Sequence, residues 1–289
     1  MKKLVMIAGS VLLVAVGSFM LFYGNTEPPD WNPLTQAEKD TSKQIHQKYE
    51  SDDSDFIYYR NFIVNYDSGK RRVNWVIHRV TKNQIYQEGQ EAINRDDYDF
   101  EFFPDSTLNS ATQVKTSEYT NTGWDRGHMA PAADFKYDLE AMTESHVTTN
   151  IAPQSVGLNQ ELWKELEVAI RDFIKEKCDE AYIIRGALYS NHYFRKCKNN
   201  QTSGYPSIYV PYRFYKVVYS KIDNENHLYC FLINHSLYYT DKEFSTYQVS
   251  LDKIEELTEE DFFDKLEDTI ENDIEAGKRD IEFFLGNNN

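Results

Sequence analysis

The sequence predicts an α+β fold, a central antiparallel sheet flanked by helices, and three observations point there. At 289 residues the chain is long enough for one substantial core and too short to argue for two. Aromatics are frequent, 21 Tyr and 17 Phe, and after residue 55 tyrosine-rich apolar runs recur between Gly, Asn and Pro, as strands do. One stretch departs from that pattern: Leu158, Leu162, Leu166, Ile170 and Phe173 recur at helical spacing beside charged positions, which predicts an amphipathic helix running to about Lys177.

In order along the chain, residues 1–24 open with Lys2 and Lys3 and continue as an apolar run from Leu4 to Tyr23, about 20 residues and long enough to cross a hydrocarbon core. Export to the periplasm or the extracellular space is expected. Small residues at Ala15, Gly17 and Ser18 fit a signal-peptide cleavage site, while the apolar run through Phe22 fits an uncleaved membrane anchor, and both readings stay open. No cysteine lies there, which excludes a bacterial lipid anchor on one. Residues 25–55 are polar, carry prolines at their start and read as a linker. Residues 56–289 follow as the folded domain with its acidic C-terminal helix.

Within that domain "FIYYRNFIVNY" and "RRVNWVIHRVT", joined by the turn-forming "DSGK", predict a two-stranded hairpin. Residues 84–118 are irregular and rich in Asn, Asp and Ser, hence loop. Beyond the helix, "AYIIRGALY" reads as a strand ending in a glycine, "SIYVPYRFYKVVYSK" as a strand that Pro211 marks as edge or bulged, and "HLYCFLINHS" as another. From Leu251 the tail reads as an acidic helix.

The formal net charge of −16 argues against a polyanionic partner until the charge is located. From Ser250 to the C-terminus there are 14 acids and 4 bases, so most of the excess sits in the tail. Residues 181 to 222 instead carry Arg185, Arg195, Lys196, Lys198, Arg213, Lys216 and Lys221 and no acid. A sheet with these cations outside and aromatics inside is the first reading of that segment, ahead of a surface that tracks a nucleic-acid strand. The tail reads as a solvated helix ahead of an internal polyanion mimic. Cys178, Cys197 and Cys230 are too few for a disulfide framework or a thiolate zinc site, leaving one bridge plus a free thiol, or three reduced thiols.

The stretch that carries chemistry is "WDRGHMAPAADF", residues 124 to 135. Gly127 permits a turn or a close backbone approach that leaves Arg126 and His128 free to face one cleft. His128 is a side chain able to take a proton from water near neutral pH, and the adjacent guanidinium favours its neutral form. Arg126 also offers a fork of donors to a phosphate. Attack on a phosphodiester further needs charge stabilisation at the departing oxygen, for which a divalent cation with oxygen ligands is the usual means. Downstream, Asn159, Glu167 and Arg171 share one broad side of the helix. Eight residues of straight helix rise on the order of 12 Å, so Asn159 and Glu167 cannot both grip one ion. Asn159 is therefore the direct ligand and Glu167 acts through water.

"DRGHMAP", "TNIAPQ" and "LNQELWKELEVAIR" resemble the DNA/RNA non-specific endonucleases, the Serratia nuclease and endonuclease G group. "VPYRFYKVV" and "VSLDKIEELTEEDFF" extend the resemblance over roughly residues 60 to 265. It implies a ββα-metal (His-Me finger) motif, with His128 as general base and Asn159 binding Mg2+, or Mn2+ in its place. It further implies that Glu167, Arg171 and Arg126 support the metal and the phosphate, and that the chain hydrolyses DNA and RNA without sequence preference. Two alternatives stand beside this: a catalytically silent nucleic-acid-binding or uptake protein of the same fold, and a phosphodiesterase for a smaller exported substrate. The membrane enters as a partner only through an uncleaved leader, and the oligomeric state is open. The family's common glycine after the threonine of the late segment is here Glu259, which touches a peripheral turn. Asp125 reads as an orienting hydrogen-bond partner, Asn150 as a residue satisfying backbone groups, and Trp163 and Leu166 as core. His78, His146, His192, His227 and His235 show no metal-cluster spacing.

Overall fold

The tyrosine-rich apolar runs become strands because their alternating side chains bury against both sheet faces. The computed structural model describes residues 33–46, 56–85, 92–190, 195–197, 208–239, 241, 243–263 and 280–286. Strands follow as β1 (Phe56–Tyr58), β2 (Ile63–Asp67), β3 (Arg72–Thr81), β4 (Asp125–His128), β5 (Ile151–Gln154) and β6 (Glu180–Leu188). Then come β7 (Arg195–Cys197), β8 (Ile208–Val210), β9 (Arg213–Ile222), β10 (Glu225–Asn234) and β11 (Gln248–Val249). Seven of them form the main sheet in the order β1-β2-β3-β6-β9-β10-β11, each neighbouring pair antiparallel. Two ribbons, β4–β5 and β7–β8, stand apart from it. The helices that position the site or cover the sheet are α1 (Gln36–His46), α2 (Leu139–Glu144), α3 (Trp163–Lys177), α4 (Leu251–Thr258) and α5 (Ile281–Leu285). The fold is thus α+β, an antiparallel sheet flanked by helices.

Four local features differ from the sequence reading. The first expected strand is itself a hairpin, β1–β2, because the Glu144 carboxylate draws in the backbone N–H groups of Arg60 at 2.9 Å and Asn61 at 3.2 Å. Pro211 does not bulge one strand but separates two: β8 pairs only within its ribbon, while β9 is central in the main sheet. With no N–H to continue a ladder, the proline marks the switch. Gly186 lies inside β6, not at its end, since the strand pairs with β9 as far as Leu188; a Cβ at 186 would meet the Tyr215 ring at 1.8 Å. Finally, part of the expected linker is folded: α1 docks through the buried Ser42 hydroxyl, which donates to the Tyr59 carbonyl, and through a 3.0 Å Glu38–Arg60 ion pair.

Glu259 caps α4 with φ 60°, a left-handed position that favours glycine. Cys178 and Cys230 are buried free thiols. The expected leader and the chain from 264 to 279 lie outside the described residues, among which no helix is long and apolar enough to cross a membrane.

Candidate active site

The site is built on a ββα unit. β4 carries "DRGH" and pairs antiparallel with β5, Gly127 opposite Ala152 and His128 opposite Ile151. Why a glycine separates Arg126 from His128 is now plain: a Cβ at Gly127 would sit 2.2 Å from the Gln154 side chain. The glycine serves a close approach within a strand, not a turn. Strand alternation then turns Arg126 and His128 to one side, where both meet Phe102, the guanidinium 4.5 Å and the imidazole 5.2 Å from its ring centre. Asn150 fastens the chain just beyond: its Oδ1 accepts the Ala130 N–H at 2.8 Å, and its Nδ2 donates to the Ala130 carbonyl at 2.9 Å.

Past β5 the chain enters a π-helical turn, Leu158–Leu162, before α3 begins, and the Trp163 N–H donates to the Leu158 carbonyl. The straight α-helix assumed from the sequence is therefore interrupted between Asn159 and Glu167, as π turns often interrupt helices at functional sites. Both residues line one cleft of about 970 Å³ together with Asp125, Arg126 and His128. Asp125 Oδ2 accepts from Asn159 Nδ2 at 3.0 Å and from Gln160 Nε2 at 2.9 Å. That bond orients the Asn159 amide so that Oδ1 is the atom the aspartate does not engage.

His128 is half-buried, and among the described residues its buried Nε2 has no hydrogen-bond partner. Burial, then the charges of His146, Arg95 and Arg126, hold its pKa well below the ordinary imidazole value. His146, which showed no spacing signal, packs edge-on against the His128 ring at 4.9 Å and stacks on Phe100. Burial lowers its own pKa to about 4 while Nδ1 meets the Met142 carbonyl at 2.8 Å. Arg95, Lys136 and Lys164 also line the cleft, so its cations outnumber its acids, Asp96, Asp125 and Glu167. They lie in one short 3₁₀ turn, just after another and on a helix, far apart in sequence, and no motif joins them.

Arg171 stands elsewhere. Its Nη1 donates to Asp134 Oδ1 at 2.8 Å, and it is absent from the residues described as lining the cleft. Asp134 is the hub of a buried cluster that also receives Arg185 Nη2 at 3.0 Å and His78 Nε2 at 2.9 Å. Burial opposes its ionisation, yet Arg185, the His78 hydrogen bond and Arg171 hold its pKa below the carboxylate range. Burial and Arg185 in turn push the His78 pKa down to about 4. The basic segment thus departs from the cations-outside reading: Arg185 and Lys216 are fully buried. Lys216 lies 3.5 Å from Glu167 Oε1. Trp163, read as core, is buried and also lines the cleft.

The chain is 30% identical over 216 residues to the mitochondrial nuclease EXOG of Mus musculus, which covers 72% of this chain and 57% of that protein. It is 27% identical over 217 residues to nuclease C1 of Cunninghamella echinulata var. echinulata, covering 74% of this chain and 84% of that one. It spans a little over half the length, 57%, of the mouse and human EXOG nucleases. A crystal structure of the EndoG/EndoGI complex shares the fold, with a TM-score of 0.66 at 24% identity over 78% of this chain and 92% of that one. Residues 40–269 match the DNA/RNA non-specific endonuclease model, and with the DRGH strand, its partner strand and the following helix gathered around one cleft, the chain belongs to that family.

Proposed function

We propose that this chain is a metal-dependent endonuclease that hydrolyses phosphodiester bonds of DNA and RNA with little regard to base sequence. The observation that carries the reading is one cleft shared by an imidazole held neutral, an aspartate-oriented amide and four cations, Arg95, Arg126, Lys136 and Lys164. His128 takes the proton of the attacking water, its depressed pKa keeping it in the accepting form at neutral pH. Arg126, exposed on β4, presents its fork to the phosphate oxygens. These groups address the backbone, which every sequence shares. The local excess of cations answers the chain's overall acidity, because a phosphate in the cleft meets the nearby charges first.

The oxygen-only set formed by Asn159 and Glu167 fits a hydrated hard cation, since Mg2+ retains several waters and needs few protein ligands. Asn159 Oδ1 would hold Mg2+, or Mn2+, with Glu167 reaching it through water, and the bound ion would stabilise charge at the scissile phosphate and the departing 3′ oxygen. Products then carry 5′-phosphates. Arg171, ion-paired to Asp134, acts on the phosphate charge from behind the cleft. The leader exports the protein, and stays as its anchor if uncleaved.

The test uses the full chain, supercoiled plasmid and RNA, with Mg2+ present or chelated. Chelator-sensitive cleavage of both polymers is expected. Binding without nicking, or turnover of small diesters alone, would overturn the reading.

A further inference from the structure

Lys216 lies in the middle of β9 with 0% of its surface exposed. Burial pushes the Lys216 pKa well below the ordinary amine value, against the pull of Glu167, and an apolar residue of similar length would fill the space without burying a polar group. Packing alone does not account for an amine there. Its partners do: Nζ donates to the Trp163 carbonyl at 3.3 Å, lies 3.5 Å from Glu167 Oε1 and sits 3.8 Å from the centre of the Trp163 ring.

Trp163 and Glu167 are one helical turn apart on α3, and both line the cleft, as does Asn159 four residues before Trp163. The Trp163 carbonyl belongs to the first residue after the π turn, where the helical hydrogen-bond pattern changes register. Lys216 therefore grips from behind the two side chains that the cleft meets from the front. Its cross-strand neighbour Arg185 is directed to Asp134 instead.

We propose that Lys216 is a positioning residue: its amino group, itself held by the Trp163 carbonyl, fixes the Glu167 carboxylate at the floor of the cleft. This rests on the nuclease reading above and adds to it a residue that touches neither substrate nor metal.

A double-mutant cycle on the full chain tests it, using Lys216→Met, Glu167→Gln and the pair. K216M is expected to melt cooperatively yet lose about tenfold or more in kcat, with KM for plasmid DNA changed by less than about twofold. Because Lys216 acts through Glu167, the pair should lose no more than E167Q alone. In a crystal structure of K216M the Glu167 carboxylate should leave its present place. If K216M does not melt cooperatively, Lys216→Gln, which keeps one hydrogen-bond donor set, carries the same cycle. Losses that multiply, a full kcat in the Lys216 variant, or an unmoved Glu167 would overturn the role. Wild-type chain that cleaves neither polymer would instead defeat the nuclease reading, and the crystal structure would still decide the positioning of Glu167.

Discussion

Strand β9 turns Tyr215, Val217 and Tyr219 to one side of the sheet and Phe214, Lys216 and Val218 to the other, and β6 alternates likewise, with Arg185 between Ile183 and Ala187. The first side meets Leu251 and Ile254 of α4 with Phe262 and Phe263, an apolar and aromatic layer whose contribution follows from area removed from water. The second side lies under α3 and holds His78, Arg185 and Lys216 around Asp134 and Glu167. Buried charges of this kind break even at best against apolar packing. The difference teaches that the α3 face, which carries the larger apolar cluster, also holds buried polar groups behind a cleft, while the α4 face is packed with apolar and aromatic side chains.

The strongest way to break that division is at the cleft itself. His128→Ala should lower kcat by about two to four powers of ten, with the unfolding midpoint little changed, in parallel cleavage assays and denaturant melts. A near-wild-type rate would remove the general base from the imidazole. Next, Asp134→Asn should cost about 3–5 kcal/mol by leaving Arg185 and Arg171 without their carboxylate, and should lower kcat as well. Its counterpart Ile254→Ala should cost about 2–5 kcal/mol and leave kcat per folded molecule intact. Equal effects of the two on turnover would erase the distinction between faces.

Acid sharpens the comparison further. His78 and His146 have folded pKa values of about 4 against an ordinary 6.5, so between those limits the unfolded chain binds protons that the folded chain refuses. Stability is therefore lost as pH falls from 6.5 towards 4, by up to about 3 kcal/mol for each histidine, and denaturant melts at neutral and acid pH measure it. Asp134, whose pKa is depressed, adds loss at still lower pH and offsets nothing. I254A should leave this pH slope unchanged. The smallest effect is expected from Arg95→Ala, which removes a charge that disfavours the His128 imidazolium. The acid limb of its kcat/KM profile should move upward in pH, and a downward move would contradict the charge argument.

The elements and the motif were legible because they are short-range patterns. Helical spacing from Leu158 to Phe173 places α3, and the contiguous "DRGH" places an imidazole beside a guanidinium. The π turn was not legible, since Leu162 and Leu166 fit an uninterrupted helix equally well. The docking of α1 was hidden for a related reason: Ser42 and Glu38 are ordinary polar residues whose partners, Tyr59 and Arg60, lie beyond residues that look like tether.

By itself the sequence determined an α+β chain with strand and helix periods in a set order, and a motif whose residue types suit phosphodiester chemistry. Only tertiary structure decided which cations are buried. Arg185 and Lys216 alternate with apolar neighbours as surface residues would, and became interior when α3 covered that face. Asp134 reaches Arg185 across 51 residues and His78 across 56. Local pattern records which way a side chain points along its own strand, but the free energy of a buried charge depends on what the rest of the chain brings to meet it.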